Sequence, residues 1–120
     1  MRDDLERLRH ILEAIQNIER YVGRGKKAFL SDELLQVWMV RHIEIIGEAA
    51  RATSSVFREN YPEIPWHDVI GMRHVLVHDY FGVDLDIVWQ VVEHDLPDLK
   101  RKIEHIVRTH DHPDTPRGPS

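Results

Sequence analysis

The sequence predicts an all-α protein, an up-and-down bundle of four or five helices. Three observations predict it. Apolar residues recur at steps of three and four along most of the chain, no stretch alternates apolar and polar residues as a half-buried strand does, and the connecting segments are short. At 120 residues there is material for one domain with one modest core.

The elements follow in order. Leu5, Leu8, Leu12, Ile15, Ile18 and Val22 predict an amphipathic helix from Asp3 to about Val22, with Asp3 or Asp4 as N-cap and Gly23 and Gly25 ending it. Lys26 to Leu30 reads as a short connection. Ser31 or Asp32 then caps a second helix to about Thr53, whose apolar stripe is Leu34, Val37, Trp38, Ile45 and Ala49. Arg41, Glu44, Glu48 and Arg51 share another face. They form either a salt-bridged solvent stripe or, for Arg41 or Glu48, the border of a site against a neighbouring helix. Ser54 to Asn60 reads as a helical turn, and Tyr61-Pro62-Glu63-Ile64-Pro65 as a rigid extended link. A third long helix runs from Trp66 to about Tyr80 and closes at Gly82. Asp84 starts the next, through Leu85, Val88, Val91 and Val92. Pro97 demands a kink or a restart, with Asp95 as the new cap, before Leu99, Ile103, Ile106 and Val107 carry the last stretch. From Thr109 onward there is no apolar residue to bury. The expected organisation is therefore a helical domain over 1–108 and a disordered tail over 109–120.

Composition excludes several functions. With no cysteine, disulfides, thiolate metal sites and cysteine nucleophiles are ruled out. No apolar run approaches the roughly 20 residues that span a bilayer, and Met1-Arg2-Asp3-Asp4 lacks the apolar core of a signal peptide. A cytoplasmic protein without membrane association is expected. The formal charge of −5 argues against a broadly basic nucleic-acid-binding face, so chemistry on RNA needs a local cationic cleft. Trp38, Trp66 and Trp89 read as core or dimer-interface residues rather than a base-stacking platform.

The chemistry-bearing stretch is Arg73-His74-Val75-Leu76-Val77-His78-Asp79-Tyr80. At about 100° per residue, Arg73 and Tyr80 share a face, whereas His78 lies roughly 140° round from Arg73. Cleaving RNA without metal requires a base for the 2′-hydroxyl proton, an acid for the leaving 5′-oxygen and a cation for the charge of the transition state. Histidine suits the first two tasks near neutral pH, and arginine, always charged, grips two phosphate oxygens. One chain offers one motif histidine. A two-fold homodimer would bring two His78 and two Arg73 to one cleft and supply both acid and base. Taken alone, His78 reads as a structural histidine, Arg73 as a bundle salt bridge to a residue such as Glu48, and Tyr80 as a core aromatic with a wet hydroxyl. His74 and His78 have the four-residue spacing of a helical metal pair, but no convincing Glu-x-x-His partners accompany them. No metal and no cofactor are expected. His110 and His112 belong to the tail.

Several further segments extend the pattern. They are Arg41-His42-Ile43-Glu44-Ile45-Ile46-Gly47-Glu48-Ala49-Ala50, Pro62-Glu63-Ile64-Pro65-Trp66, Gly71-Met72-Arg73, His78-Asp79-Tyr80, Val83-Asp84-Leu85-Asp86-Ile87-Val88-Trp89 and Asp95-Leu96-Pro97-Asp98-Leu99. In order and spacing the chain resembles the HepT family of HEPN toxins over nearly everything except the tail. The resemblance implies a helical-bundle homodimer with ribonuclease activity toward cellular RNA, tRNA or mRNA. The family signature Arg-x4-His-x-Tyr falls on Arg73, His78 and Tyr80. His74 occupies a position often held by Asn or Asp, and with Glu48 and Asp79 it is a candidate supporting residue. The resemblance further implies an MntA-type minimal nucleotidyltransferase antitoxin that neutralises the toxin by transferring AMP to Tyr80. The alternative is a non-catalytic nucleotide- or substrate-binding subunit that partners such a nucleotidyltransferase.

Overall fold

In the computed structural model, backbone is described for residues 2–78 and 84–111, and side chains for the same residues except 73–78 and 111. Among the described residues the chain is all helical, with no strand. The helices are α1 (Arg2–Val22), α2 (Gly25–Ser31), α3 (Glu33–Arg51), α4 (Ser55–Asn60), α5 (Trp66–His78), α6 (Leu85–Gln90) and α7 (Leu96–Asp111), with a π-helical turn over Val91–Asp95 joining the last two.

α1 buries Leu8, Ile11, Ala14, Ile15 and Ile18, the stripe its periodicity demands. Asp4 is not an N-cap. The helix already begins at Arg2, and the Asp4 carboxylate, itself buried, accepts from the Ser54 backbone N–H at 2.7 Å and the Ser54 hydroxyl at 2.9 Å. Ser54 in turn caps α4 by accepting from the Phe57 N–H, so one buried carboxylate ties the start of α1 to the turn after α3. Burial opposes the charged form of Asp4, yet the Ser54 bonds hold its pKa below the ordinary value.

Gly25 has φ +90°, a left-handed conformation that a side chain would strain, and it redirects the chain after α1. The segment expected as a plain connection is a helix instead, α2, anchored by the fully buried Phe29. Asp32 is the N-cap of α3, accepting from Leu34 N–H at 3.0 Å and Leu35 N–H at 3.3 Å. The Ser31 hydroxyl turns back to the Lys27 and Ala28 carbonyls.

α3 corrects the expected apolar stripe. Leu34 and Val37 are 81% and 60% exposed, while Leu35, Met39, Ile43, Ile46 and Ala50 make the core face. The helix is apolar on two sides. Neighbouring helices contact the side rich in Ile and Met, and each such fully buried residue contributes about 1.5–3 kcal/mol. α1 and α3 lie antiparallel: Asp4 meets Ser54 at one end, and Trp38 Nε1 donates to the Asn17 carbonyl at 2.8 Å nearer the other.

Pro97 causes no break, and Asp95 is no cap. Instead the helix widens just before the proline, and the Leu96 N–H reaches five residues back to the Val91 carbonyl. That wider turn removes the clash a proline ring makes with the carbonyl four residues earlier. α7 packs on α1, with Lys100 Nζ 3.0 Å from both carboxylate oxygens of Glu19. It runs through Thr109 and His110, residues expected in the tail, and His110 Nε2 lies 2.5 Å from the Tyr61 hydroxyl. The expected disorder of 112–120 lies outside the described residues.

Candidate functional site

α5 carries the motif, and its first turn is tightly placed. Pro65 precedes the helix, and its carbonyl accepts from Val69 N–H at 3.0 Å. Trp66 is buried and donates through Nε1 to the Tyr61 carbonyl at 2.9 Å, while Val69 is buried against the core. Phe57 brackets this entry, 4.7 Å from the Tyr61 ring and 6.2 Å from that of Trp66, centroid to centroid. Burial, then the nearby Glu63 charge, pushes the Tyr61 hydroxyl pKa up.

From this base the backbone stays α-helical through His78, so positions 73, 74 and 78 stand on one regular helix, as expected. On that helix positions 73 and 78 are about 140° apart, and no helix-end adjustment narrows the angle before His78. The side chains of Arg73, His74 and His78 lie outside the described residues, as do Asp79 and Tyr80 entirely. The chain is described again at Asp84, which caps α6 by accepting from Asp86 N–H at 3.0 Å and Ile87 N–H at 3.3 Å. Between α5, α3 and α6 lies an apolar cavity of about 260 Å³, lined by Ile43, Gly71, Met72, Ile87 and Val88, with His67 and Asp68 also on its wall.

Glu48 is exposed on α3 and lines a polar groove of about 340 Å³ between α1 and α3, with Arg7, His10, Glu13 and His42. Arg41 lies elsewhere, 3.9 Å from Glu44 on the outer face. His42 was not anticipated as a site residue. It is nine-tenths buried, its ring centroid is 4.4 Å from that of Trp38, and Nδ1 lies 2.8 Å from the Trp38 carbonyl. A carbonyl only accepts, so Nδ1 is the donor in this pair. Part of the signal for this groove was present in the sequence: Arg7, His10, Glu13 and Asn17 recur at steps of three and four, as a polar stripe beside the apolar one. Among the described residues no cluster of three or more His, Asp or Glu could hold a metal ion. No described helix is long and apolar enough to cross a membrane.

Comparison with known proteins places this arrangement. Residues 11–106 match the Ribonuclease HepT-like family. The chain belongs to that HepT-like family. It is 44% identical over 109 residues to a Methanocaldococcus jannaschii protein named "Gamma-glutamylcyclotransferase and putative RNase", a match covering 89% of this chain but 49% of that protein. The chain thus spans about half the length of that relative. It is 41% identical over 100 residues to the "Probable ribonuclease HepT" of Thermococcus cleftensis, covering 82% of this chain and 91% of the relative. A shorter stretch of 38 residues is 45% identical to the "mRNA nuclease HepT" of Shewanella oneidensis, covering 32% and 29% of the two chains. No solved structure matches significantly.

Proposed function

We propose that the protein is the toxin of a toxin–antitoxin pair, a cytoplasmic endoribonuclease that cleaves RNA without a metal ion by attack of the 2′-hydroxyl on the adjacent phosphate. The observation that carries this reading is the family match over residues 11–106, which contains the whole of Arg73-x4-His78-x-Tyr80. The helical backbone through position 78 supports it, because it presents the motif from a rigid element whose N-terminal turn is fixed by Trp66 and Val69.

In this mechanism His78 transfers protons. As base it takes the 2′-hydroxyl proton while that oxygen bonds to phosphorus. The bond from phosphorus to the 5′-oxygen breaks, and an acid returns a proton to that leaving oxygen. The products are a 2′,3′-cyclic phosphate and a free 5′-hydroxyl. Arg73 binds the non-bridging phosphate oxygens and stabilises their added charge in the transition state. The 140° between positions 73 and 78 favours a homodimer, in which one copy's His78 acts as base and the other's as acid. His74 and Asp79 are supporting residues, orienting the imidazole or fixing its tautomer.

The antitoxin in this reading is an MntA-type nucleotidyltransferase that transfers AMP to the Tyr80 hydroxyl. The added phosphate is an anion that pairs with Arg73 and competes with RNA, and the nucleoside blocks the approach. Expression tests the assignment. The chain produced alone should arrest growth, His78→Ala should relieve the arrest, and Tyr80→Phe should remain toxic beside a catalytically competent antitoxin. A toxic His78→Ala would remove the catalytic assignment. A neutralised Tyr80→Phe would remove the role of Tyr80.

A further inference from the structure

We infer that the apolar cavity between α3, α5 and α6 is a nucleobase pocket that takes a guanine of single-stranded RNA, with the scissile phosphate lying toward position 78. The inference rests on the ribonuclease reading above and names the base-reading subsite that reading leaves open.

The cavity has about 260 Å³ and an apolar wall of Ile43, Met72, Ile87, Val88 and Val91. Pockets for drug-sized ligands start at roughly 300 Å³, so this one suits a single flat ring system. Ile87, 50% exposed, leaves it open to solvent at the α6 edge. Gly71, half-buried near the middle of α5, belongs to the same wall. A glycine inside a helix weakens that helix relative to alanine. Packing of the chain does not call for it: among the described residues, nothing lies within 4 Å of where a Cβ would stand. A flat ring brought against the bare helix backbone does call for it.

Two polar side chains complete the wall. Asp68 and His67 are both exposed, and neither makes a hydrogen bond or ion pair with another residue among those described. A carboxylate only accepts, and its two oxygens stand side by side. The Watson–Crick edge of guanine presents two N–H donors side by side, at N1 and N2, so Asp68 can hold it through both oxygens. Adenine, cytosine and uracil each set an acceptor next to the donor on that edge, and the carboxylate repels it. Reading an unpaired base by its Watson–Crick edge is the common route to sequence selectivity on RNA.

Helix geometry links the pocket to the motif. At about 100° and 1.5 Å per residue, position 78 lies about 20° round from Gly71 and about 10 Å farther along the axis. The regular backbone of α5 through His78 preserves that relation. Pocket and position 78 therefore share one face of α5, at a separation that a few nucleotides span. Charge orients the strand. Asp68 and Met72 also border a neighbouring cleft lined by Asp95 and Asp98. Those carboxylates repel phosphates from that side. A strand with its base seated in the pocket thus runs toward position 78.

The test measures binding and cleavage separately on the full chain, with circular dichroism following helix content and melting of every variant. Binding is read by fluorescence anisotropy with labelled 2′-O-methyl tetranucleotides, which lack the attacking hydroxyl. Wild type should bind a guanine-containing oligonucleotide about tenfold or more tightly than its adenine, cytosine and uracil counterparts. Gly71→Leu fills the cavity and Asp68→Asn replaces one acceptor with a donor, and each should abolish that preference. Gly71→Ala should melt no lower than wild type, since nothing among the described residues crowds the new methyl, and yet weaken guanine binding. A wild type that binds all four bases alike, or a preference that survives Gly71→Leu, would overturn the pocket. A preference that survives Asp68→Asn would overturn the reading of the guanine edge. A Gly71→Leu variant that sediments differently while keeping the preference would give the cavity to a second copy of the chain. Guanine-selective binding without any RNA cleavage by wild type would uphold the pocket and contradict the ribonuclease reading.

Discussion

Replacing Asp4 with alanine should destabilise the bundle far more than its position near one end of a surface-exposed helix suggests. Its carboxylate is 7% exposed and accepts two short hydrogen bonds, 2.7 Å from the Ser54 N–H and 2.9 Å from the Ser54 hydroxyl, across fifty residues of sequence. Hydrogen bonds to a charged partner are worth about 1.5–3 kcal/mol. Here the two bonds share one carboxylate and one residue, so their losses overlap rather than add. The expected cost of Asp4→Ala is about 2–3 kcal/mol, or roughly 10–15 °C in melting temperature for a domain of this size. Ser54 loses an orienting acceptor at the same time, and its cap on Phe57 should weaken with it. The carboxylate has a pKa held below its ordinary value in the folded protein. Its stabilisation is therefore complete above the ordinary carboxylate range and is lost as pH falls through the lowered folded value. Thermal unfolding of wild type and Asp4→Ala, followed by circular dichroism across the acid range, reads both effects. The two melting curves should stand well apart near neutral pH and converge in acid. A gap below 0.5 kcal/mol (an order-of-magnitude threshold for ordinary surface changes) would refute the reasoning, as would a gap that does not shrink with acid.

Three other outcomes follow from the same structure. Asp32→Ala removes the α3 cap and should cost about 1 kcal/mol in chemical denaturation, whereas Ser31→Ala, whose hydroxyl makes no cap bond, should cost under about 0.5 kcal/mol. Gly25→Ala forces a side chain into a φ of +90°, so although open space surrounds the position, a loss of about 1–2 kcal/mol is expected by the same measurement. Ile46→Ala, at a fully buried α3 position, should cost about 2–5 kcal/mol, while Leu34→Ala, at 81% exposure, should leave monomer stability nearly unchanged.

The fold class was legible because helical periodicity is a strong signal when it runs over several turns, as in α1. It failed where two signals overlapped or where none existed. α3 has apolar residues on both sides: Leu34, Val37, Trp38 and Ile45 on one, and Leu35, Met39, Ile43 and Ile46 on the other. Periodicity alone cannot say which side faces the core. α2 is too short to show a stripe, and a single buried Phe29 holds it. The π-helical turn was invisible because proline announces a disturbance without saying whether the chain breaks or widens to absorb it. Asp4 resembled a cap because it stands at a helix start, and its true partner is fifty residues away. In the candidate site, the placement of positions 73, 74 and 78 on one helix was readable from spacing. The groove that His42 shares with Glu48 required knowing that α1 and α3 pack side by side, because half of its wall comes from α1.

Metal-independent cleavage by His78 is tested most directly by incubating purified wild type and His78→Ala with total RNA in excess chelator and analysing the new ends. Wild type should produce fragments ending in 2′,3′-cyclic phosphate and starting with a 5′-hydroxyl, and His78→Ala should produce none. Cleavage that stops in chelator, or that His78→Ala performs as well as wild type, would contradict the account.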